Sequence, residues 1–119
     1  GISTNRGNLH STWDSALRED GIQSSVEEIL QLQEVSSTAL AEAQNSDWDL
    51  WLSESRQLLL SQVYSEEMIE AISNADRGNS RLRNFDLSSE YIEQMKQSAR
   101  QRLGLAGVRL ALWFNTELP

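Results

Sequence analysis

Apolar residues recur at helical spacing along most of this chain, and the pattern is strongest in its last third. Residues 88–116 keep apolar positions three or four residues apart throughout, which predicts one long amphipathic helix. Gly104 and Gly107 lie inside it, although a glycine in a helix interior costs about 1 kcal/mol relative to alanine. Because that cost indicates close packing against another helix, we expect this helix to lie at the centre of a bundle.

The same spacing predicts shorter helices before the last one. They cover residues 8–19, a segment that begins at Ser24 or Ser25, residues 47–63 and residues 65–72. The helix that begins at the serines is expected to stop at residues 36–38, before a short turn at 39–44. In the next helix, Trp48 and Trp51 fall on the period of the leucines, which predicts that both tryptophans anchor the core.

The predicted fold class is therefore all-α, a multi-helical bundle formed by residues 1–119 as a single domain. Residues 1–7 are expected to be a flexible start, and the polar residues 73–86 to be a loop before the long C-terminal helix. The one proline of the sequence stands at its last position, so it breaks none of these helices.

Composition narrows the possible functions. The 119 residues carry 18 acidic and 10 basic side chains, a net charge of -8. Proteins that hold nucleic acid on a positively charged surface need clustered lysines and arginines, so this class is disfavoured. There is no cysteine and hence no disulfide framework. No apolar run reaches the roughly 18 residues of a membrane-spanning helix.

The only histidine of the chain stands four residues before an aspartate. His10 and Asp14 belong to the heptapeptide NLHSTWD at residues 8–14. If Asn8 caps a helix, the imidazole and the carboxylate lie on one face, one turn apart. Zinc takes nitrogen and oxygen ligands at about 2.0–2.2 Å, so this pair can bind one ion without moving the backbone. The spacing of Asp14 to Arg18 also favours a simple surface ion pair.

A second candidate is the group of cations in the polar loop, which consists of Arg77, Arg81 and Arg83. A basic cluster in a loop can contact phosphate groups. It can equally balance nearby carboxylates in an acidic chain, and the sequence leaves both interpretations open.

Three segments resemble the zinc-dependent single-strand nucleases of the S-one/P-one family. The first is NLHSTWD, which is similar to the zinc-ligand signature of that family. The second and third follow in the family's order: WLSES at residues 51–55 with Val63 and Tyr64, then Leu87, Tyr91, RL at 102–103, AGVRLA at 106–111 and Asn115. Three blocks in one order are far more specific than any single block.

The resemblance implies an all-α enzyme with three zinc ions in a cleft. Such an enzyme hydrolyses single-stranded DNA and RNA to 5′-phosphorylated products through a metal-bound hydroxide. His10 and Asp14 match the positions at which the family binds one ion, and they would be ligands rather than the general base. The implied partner is single-stranded nucleic acid, and the implied location is secreted or periplasmic.

The resemblance covers only the C-terminal half of the family. The family's other ligands, an N-terminal tryptophan with further histidines and aspartates, precede the motif and have no counterpart in this sequence. The chain is therefore expected to be part of a larger zinc nuclease, to need the missing N-terminal half, and to contain no catalytic residue of its own. Two alternatives remain open: a relative of zinc-dependent phospholipase C, whose motif carries glutamate at the place of Asp14, and a non-catalytic helical interaction module.

Overall fold

The computed structural model describes residues 1–32 and 47–117. Within these ranges the chain is all-α apart from one small hairpin, which confirms the predicted fold class. The helices are α1 (Leu9–Asp14), α2 (Ile22–Gln31), α3 (Trp48–Leu58), α4 (Glu66–Asp76) and α5 (Ser89–Glu117). The hairpin strands are β1 (Ser3–Thr4) and β2 (Gly7–Asn8), antiparallel, with Ser3 opposite Asn8. α2 ends at Gln31, so the helix stops earlier than the interruption predicted at 36–38, and those residues and the turn predicted at 39–44 lie outside the described residues.

The hairpin occupies most of the segment that the sequence predicts to be a flexible start, residues 1–7. Phe85 lies alongside it: its N–H donates to the carbonyl of Ser3 (2.9 Å), and its own carbonyl accepts from the N–H of Asn5 (3.1 Å). Gly7 has a φ of 108°, a conformation that glycine adopts at little cost. Strands of two residues are too short to show an alternating pattern, so they could not be predicted from the spacing of apolar residues.

The helix boundaries differ from the predicted ones where local polar contacts compete with the helix. α1 ends at Asp14 rather than at residue 19, and the Ser15 hydroxyl donates to the carbonyl of Ser11 (2.7 Å). α3 continues as a π-helical segment, Leu59–Val63. α4 runs on to Asp76, so the polar loop begins four residues later than predicted. The long C-terminal helix α5 is confirmed.

The chain divides into two compact units, and α5 contributes to both. Unit 1 consists of Gly1–Ala16 and Trp48–Met95. Every buried apolar side chain among the described residues belongs to unit 1: Ile2, Leu9, Ala16, Met68, Phe85, Leu87, Ile92 and Met95. The core that positions α1 is therefore made by the hairpin, α4, the strand-like residues around Phe85 and the first half of α5.

Unit 2 contains, among the described residues, 17–32, Asp47 and 96–117. The Asp20 carboxylate lies 2.9 Å from both the Lys96 ammonium and the Arg100 guanidinium, and Arg100 also lies 2.6 Å from Glu28. Many apolar side chains on α2 and on the second half of α5 are exposed, and none of those that the structure describes is fully buried. The exposed ones include Ile22, Val26, Leu30, Leu103, Leu110, Trp113 and Phe114. Ion pairs rather than apolar burial thus characterise the described part of unit 2.

Two packing predictions from the sequence are wrong. Trp48 is 74% exposed and is no core anchor. It contacts the half-buried Trp51 instead, with the ring centroids 4.8 Å apart. A Cβ added at Gly107 would meet no atom within 4 Å, so the close helix contact predicted there is not found among the described residues. Gly104 is buried, and a close contact at Gly104 stays a prediction. None of the described helices is long and apolar enough to cross a membrane.

Candidate metal site

The predicted ligand pair lies on α1, and Asn8 determines where this helix begins. The Asn8 side-chain oxygen accepts from the backbone N–H of Ser11 (2.8 Å), and the Ser11 hydroxyl oxygen accepts from the N–H of Asn8 (3.4 Å). This reciprocal capping box satisfies two N–H groups that the helix start would otherwise leave unpaired. It begins the helix at Leu9, as the sequence predicts, and places His10 and Asp14 one turn apart.

The His10 Nε2 atom and the Asp14 Oδ2 atom are 3.1 Å apart. With zinc–ligand distances of about 2.0–2.1 Å, two donors at that separation subtend about 100° at an ion, close to the tetrahedral angle. The side chains are 87% and 66% exposed, so further ligands could approach from outside. The pair therefore fits two of the positions of a zinc ion.

The described residues do not complete such a site. They contain no group of three or more histidine, cysteine, aspartate or glutamate side chains that could hold a metal ion. A structural zinc site has four protein ligands, and a catalytic one usually has three with a water molecule. Two donors on α1 would need further ligands from other residues.

A chain of hydrogen bonds connects α1 to two other elements of unit 1. The Trp13 indole N–H donates to the Tyr91 hydroxyl oxygen (2.9 Å), and the Tyr91 hydroxyl donates to the carbonyl of Val63 (2.7 Å). The rings of Trp13 and Tyr91 are perpendicular, with centroids 6.4 Å apart. Burial raises the pKa of Tyr91, which keeps the phenol protonated as a donor. The sequence blocks that carry the resemblance contain both Trp13 and Tyr91, but they do not predict this bond, because hydrogen bonds between distant residues leave no spacing signal.

The three arginines of the polar loop have different surroundings. Arg83 forms an ion pair with Glu67 and lies 5.2 Å from the centre of the Phe85 ring. Arg83 therefore balances a carboxylate, one of the two roles that the sequence left open. Arg77 caps the C-terminus of α4, and both it and Arg81 have exposed side chains. Phosphate binding by this loop stays a prediction.

Comparison with known families gives a match that covers almost the whole chain. Residues 2–119 match the S1/P1 nuclease family. A search of curated proteins and a search of solved structures each gave no match. The matched range includes the capped helix with its histidine and aspartate, as well as Tyr91, whose hydroxyl oxygen accepts the hydrogen bond from Trp13. The chain belongs to the S1/P1 nuclease family.

Proposed function

We propose that this chain is the C-terminal part of a zinc-dependent phosphodiesterase that hydrolyses single-stranded DNA and RNA to 5′-phosphorylated products. The observation that carries the proposal is the 3.1 Å separation of the His10 and Asp14 donor atoms on a capped helix. Membership of a nuclease family supplies the reaction class. The acidic composition is compatible with it, because bound metal ions rather than basic side chains would then attract the phosphate groups.

His10 Nε2 and Asp14 Oδ2 would hold the ion, with the imidazole neutral and the carboxylate ionised. When bound, zinc supplies positive charge for the phosphoryl oxygens and lowers the pKa of a coordinated water. The capping box and the helical register keep the two donors one turn apart, and their exposure leaves room for other ligands. We propose that the N-terminal half of the same protein provides those ligands and that this chain alone is inactive.

Two further parts of the proposal concern the substrate and the location. Arg77 and Arg81 are exposed and belong to the same unit as α1, and they would contact backbone phosphates of the nucleic acid. Secreted or periplasmic location is proposed from the family alone.

The direct test replaces each ligand in the full-length protein. His10→Ala and Asp14→Asn should each lower the zinc content, by about one ion per molecule in the stronger case. Loss of a contact to a metal ligand typically lowers activity by about 10–100-fold. Loss of a ligand itself should lower the rate of single-stranded DNA hydrolysis by more than that. Metal content is measured by elemental analysis after dialysis, and hydrolysis by the release of 5′-phosphorylated oligonucleotides.

Glu19→Gln is the matched control, since it removes one exposed carboxylate five positions after Asp14 in the sequence and leaves the pair unchanged. It should leave zinc content and rate unchanged. Zinc content and rate that survive His10→Ala would overturn the proposal and favour the interaction module. Hydrolysis of phosphatidylcholine vesicles without hydrolysis of DNA would overturn it in favour of the phospholipase C alternative.

A further inference from the structure

The helix that holds the proposed ligands is too short to be stable by itself. α1 has six residues, Leu9–Asp14, whereas isolated helices shorter than about 12–15 residues are marginal in water. His10 is its second residue and Asp14 its last, so the pair uses nearly the whole helix. Fraying of the last turn would by itself separate the two donor atoms.

The ligand side chains cannot supply the missing stability. They are 87% and 66% exposed, and an exposed pair four residues apart contributes only a few tenths of a kcal/mol. At the start of α1, the capping box and the buried Leu9 fix the helix, and the N–H of Leu9 donates to the carbonyl of Ile2 (2.9 Å). At the end of α1, Thr12 is buried and the Trp13 indole N–H makes a long-range hydrogen bond to the Tyr91 hydroxyl.

The direction of this hydrogen-bond chain is determined by its two ends. An indole N–H can only donate and a backbone carbonyl can only accept, so Tyr91 must accept from Trp13 and donate to Val63. Val63 is the last residue of the π-helical segment, where carbonyls lack partners within the helix. One hydroxyl group thus satisfies the indole next to Asp14 and a helix end at the same time.

We propose that Trp13 and Tyr91 are positioning residues, which hold the last turn of α1 and thereby keep the His10 and Asp14 donors at the separation that zinc requires. The inference rests on the proposed function, because it assigns the two aromatic residues a role only through the metal ligands. Neither residue touches the ion or the substrate.

The test compares Tyr91→Phe with Tyr64→Phe in the full-length protein. Both variants remove one hydroxyl group from a half-buried tyrosine of unit 1, but only the first breaks the hydrogen-bond chain. In Tyr91→Phe, the zinc concentration for half-maximal hydrolysis should rise about tenfold, the lower end of the range for outer-shell partners. The rate at saturating zinc should return to the wild-type value. A chelator should remove zinc faster from Tyr91→Phe than from Tyr64→Phe.

Trp13→Phe provides the second variant, since it removes the indole N–H and leaves the bond from Tyr91 to Val63 in place. It should weaken zinc retention in the same direction, with the helicity measured by circular dichroism unchanged. If Tyr91→Phe does not fold, this variant carries the test. Amide hydrogen exchange should be faster in α1, but not in α4, in either variant.

Wild-type zinc retention in both Tyr91→Phe and Trp13→Phe, together with zinc loss in His10→Ala, would overturn the positioning role and leave the proposed function intact. Zinc retention in His10→Ala as well would overturn both proposals. A hydrolysis rate that stays low in Tyr91→Phe at saturating zinc would also contradict the inference. If Tyr91 only positions the ligands, a high zinc concentration fills the site and restores the rate.

Discussion

Unit 1 and unit 2 are held by different kinds of contact. Among the described residues, unit 1 buries eight apolar side chains, and a neutral hydrogen-bond chain runs from Trp13 through Tyr91 to Val63. In the described part of unit 2 the buried side chains are polar, and the long-range contacts include the ion pairs of Asp20 with Lys96 and Arg100. Apolar burial and neutral hydrogen bonds depend little on salt or pH, whereas ion pairs depend on both.

The difference suggests why the proposed ligands lie in unit 1. A metal site needs donors held in a fixed geometry under changing conditions, and its outer partners contribute to metal affinity. His10 and Asp14 are exposed, but their helix packs Leu9 into the apolar core and donates a neutral hydrogen bond from Trp13. Unit 2 provides no comparable apolar support among its described residues.

The largest expected effect comes from breaking the core of unit 1. Phe85 is 4% exposed, and its backbone pairs with the hairpin. Phe85→Ala should lower the free energy of unfolding by about 3–5 kcal/mol, because it removes a buried ring and leaves a cavity. Urea unfolding followed by circular dichroism measures the change.

A matched substitution in unit 2 sharpens this prediction. Leu110 lies on α5 with 55% of its surface exposed, and Leu110→Ala should change the free energy of unfolding by no more than about 0.5 kcal/mol. Equal losses for Phe85→Ala and Leu110→Ala would show that the second half of α5 is covered in solution, and the contrast between the units would then be wrong.

The sequence predicted the fold class because helical periodicity is a strong signal over long segments. It predicted α5 almost to the residue. It misjudged Trp48 because periodicity shows which residues share a face but not which face is covered. It missed the hairpin and the early end of α1, which depend on short strands and on Ser15 bonding to the preceding turn.

The candidate site was only partly accessible to the same reasoning. The spacing of His10 and Asp14 follows from helix geometry, and the Asn8 cap is a local signal, so the pair could be proposed from the sequence. The bond from Trp13 to Tyr91 joins residues that are 78 positions apart, and it depends on how the chain folds. The pairing of Arg83 with Glu67 has the same origin.

Breaking the hydrogen-bond chain of unit 1 should have an intermediate effect on the free energy of unfolding. Tyr91→Phe leaves the Trp13 N–H and the Val63 carbonyl without their shared partner, so the free energy of unfolding should fall by about 1–2 kcal/mol. Because no ion pair is involved, the loss should be the same at about 0.05 M and 0.5 M salt. Urea unfolding at both salt concentrations measures it, with Tyr64→Phe as the control. A loss that shrinks at high salt would contradict the assignment of a neutral network.

The ion pairs of unit 2 are expected to stabilise the chain less than either of these two contacts of unit 1, and their contribution should depend on pH. The hydrogen bond from Lys96, together with the charges of Lys96 and Arg100, holds the pKa of Asp20 below its usual value of 3.8. A carboxyl group whose pKa is lower in the folded chain stabilises that chain when ionised, and the contribution is lost as the pH falls below 3.8 towards the folded value. Asp20→Asn should therefore lower the melting temperature at pH 7, less so in high salt, and the difference from wild type should shrink below pH 3.8.

Glu19→Gln removes the same charge from an exposed neighbour, and its melting temperature should depend on neither salt nor pH in this way. Equal melting curves for the two variants at pH 7 would mean that the Asp20 ion pairs do not stabilise unit 2.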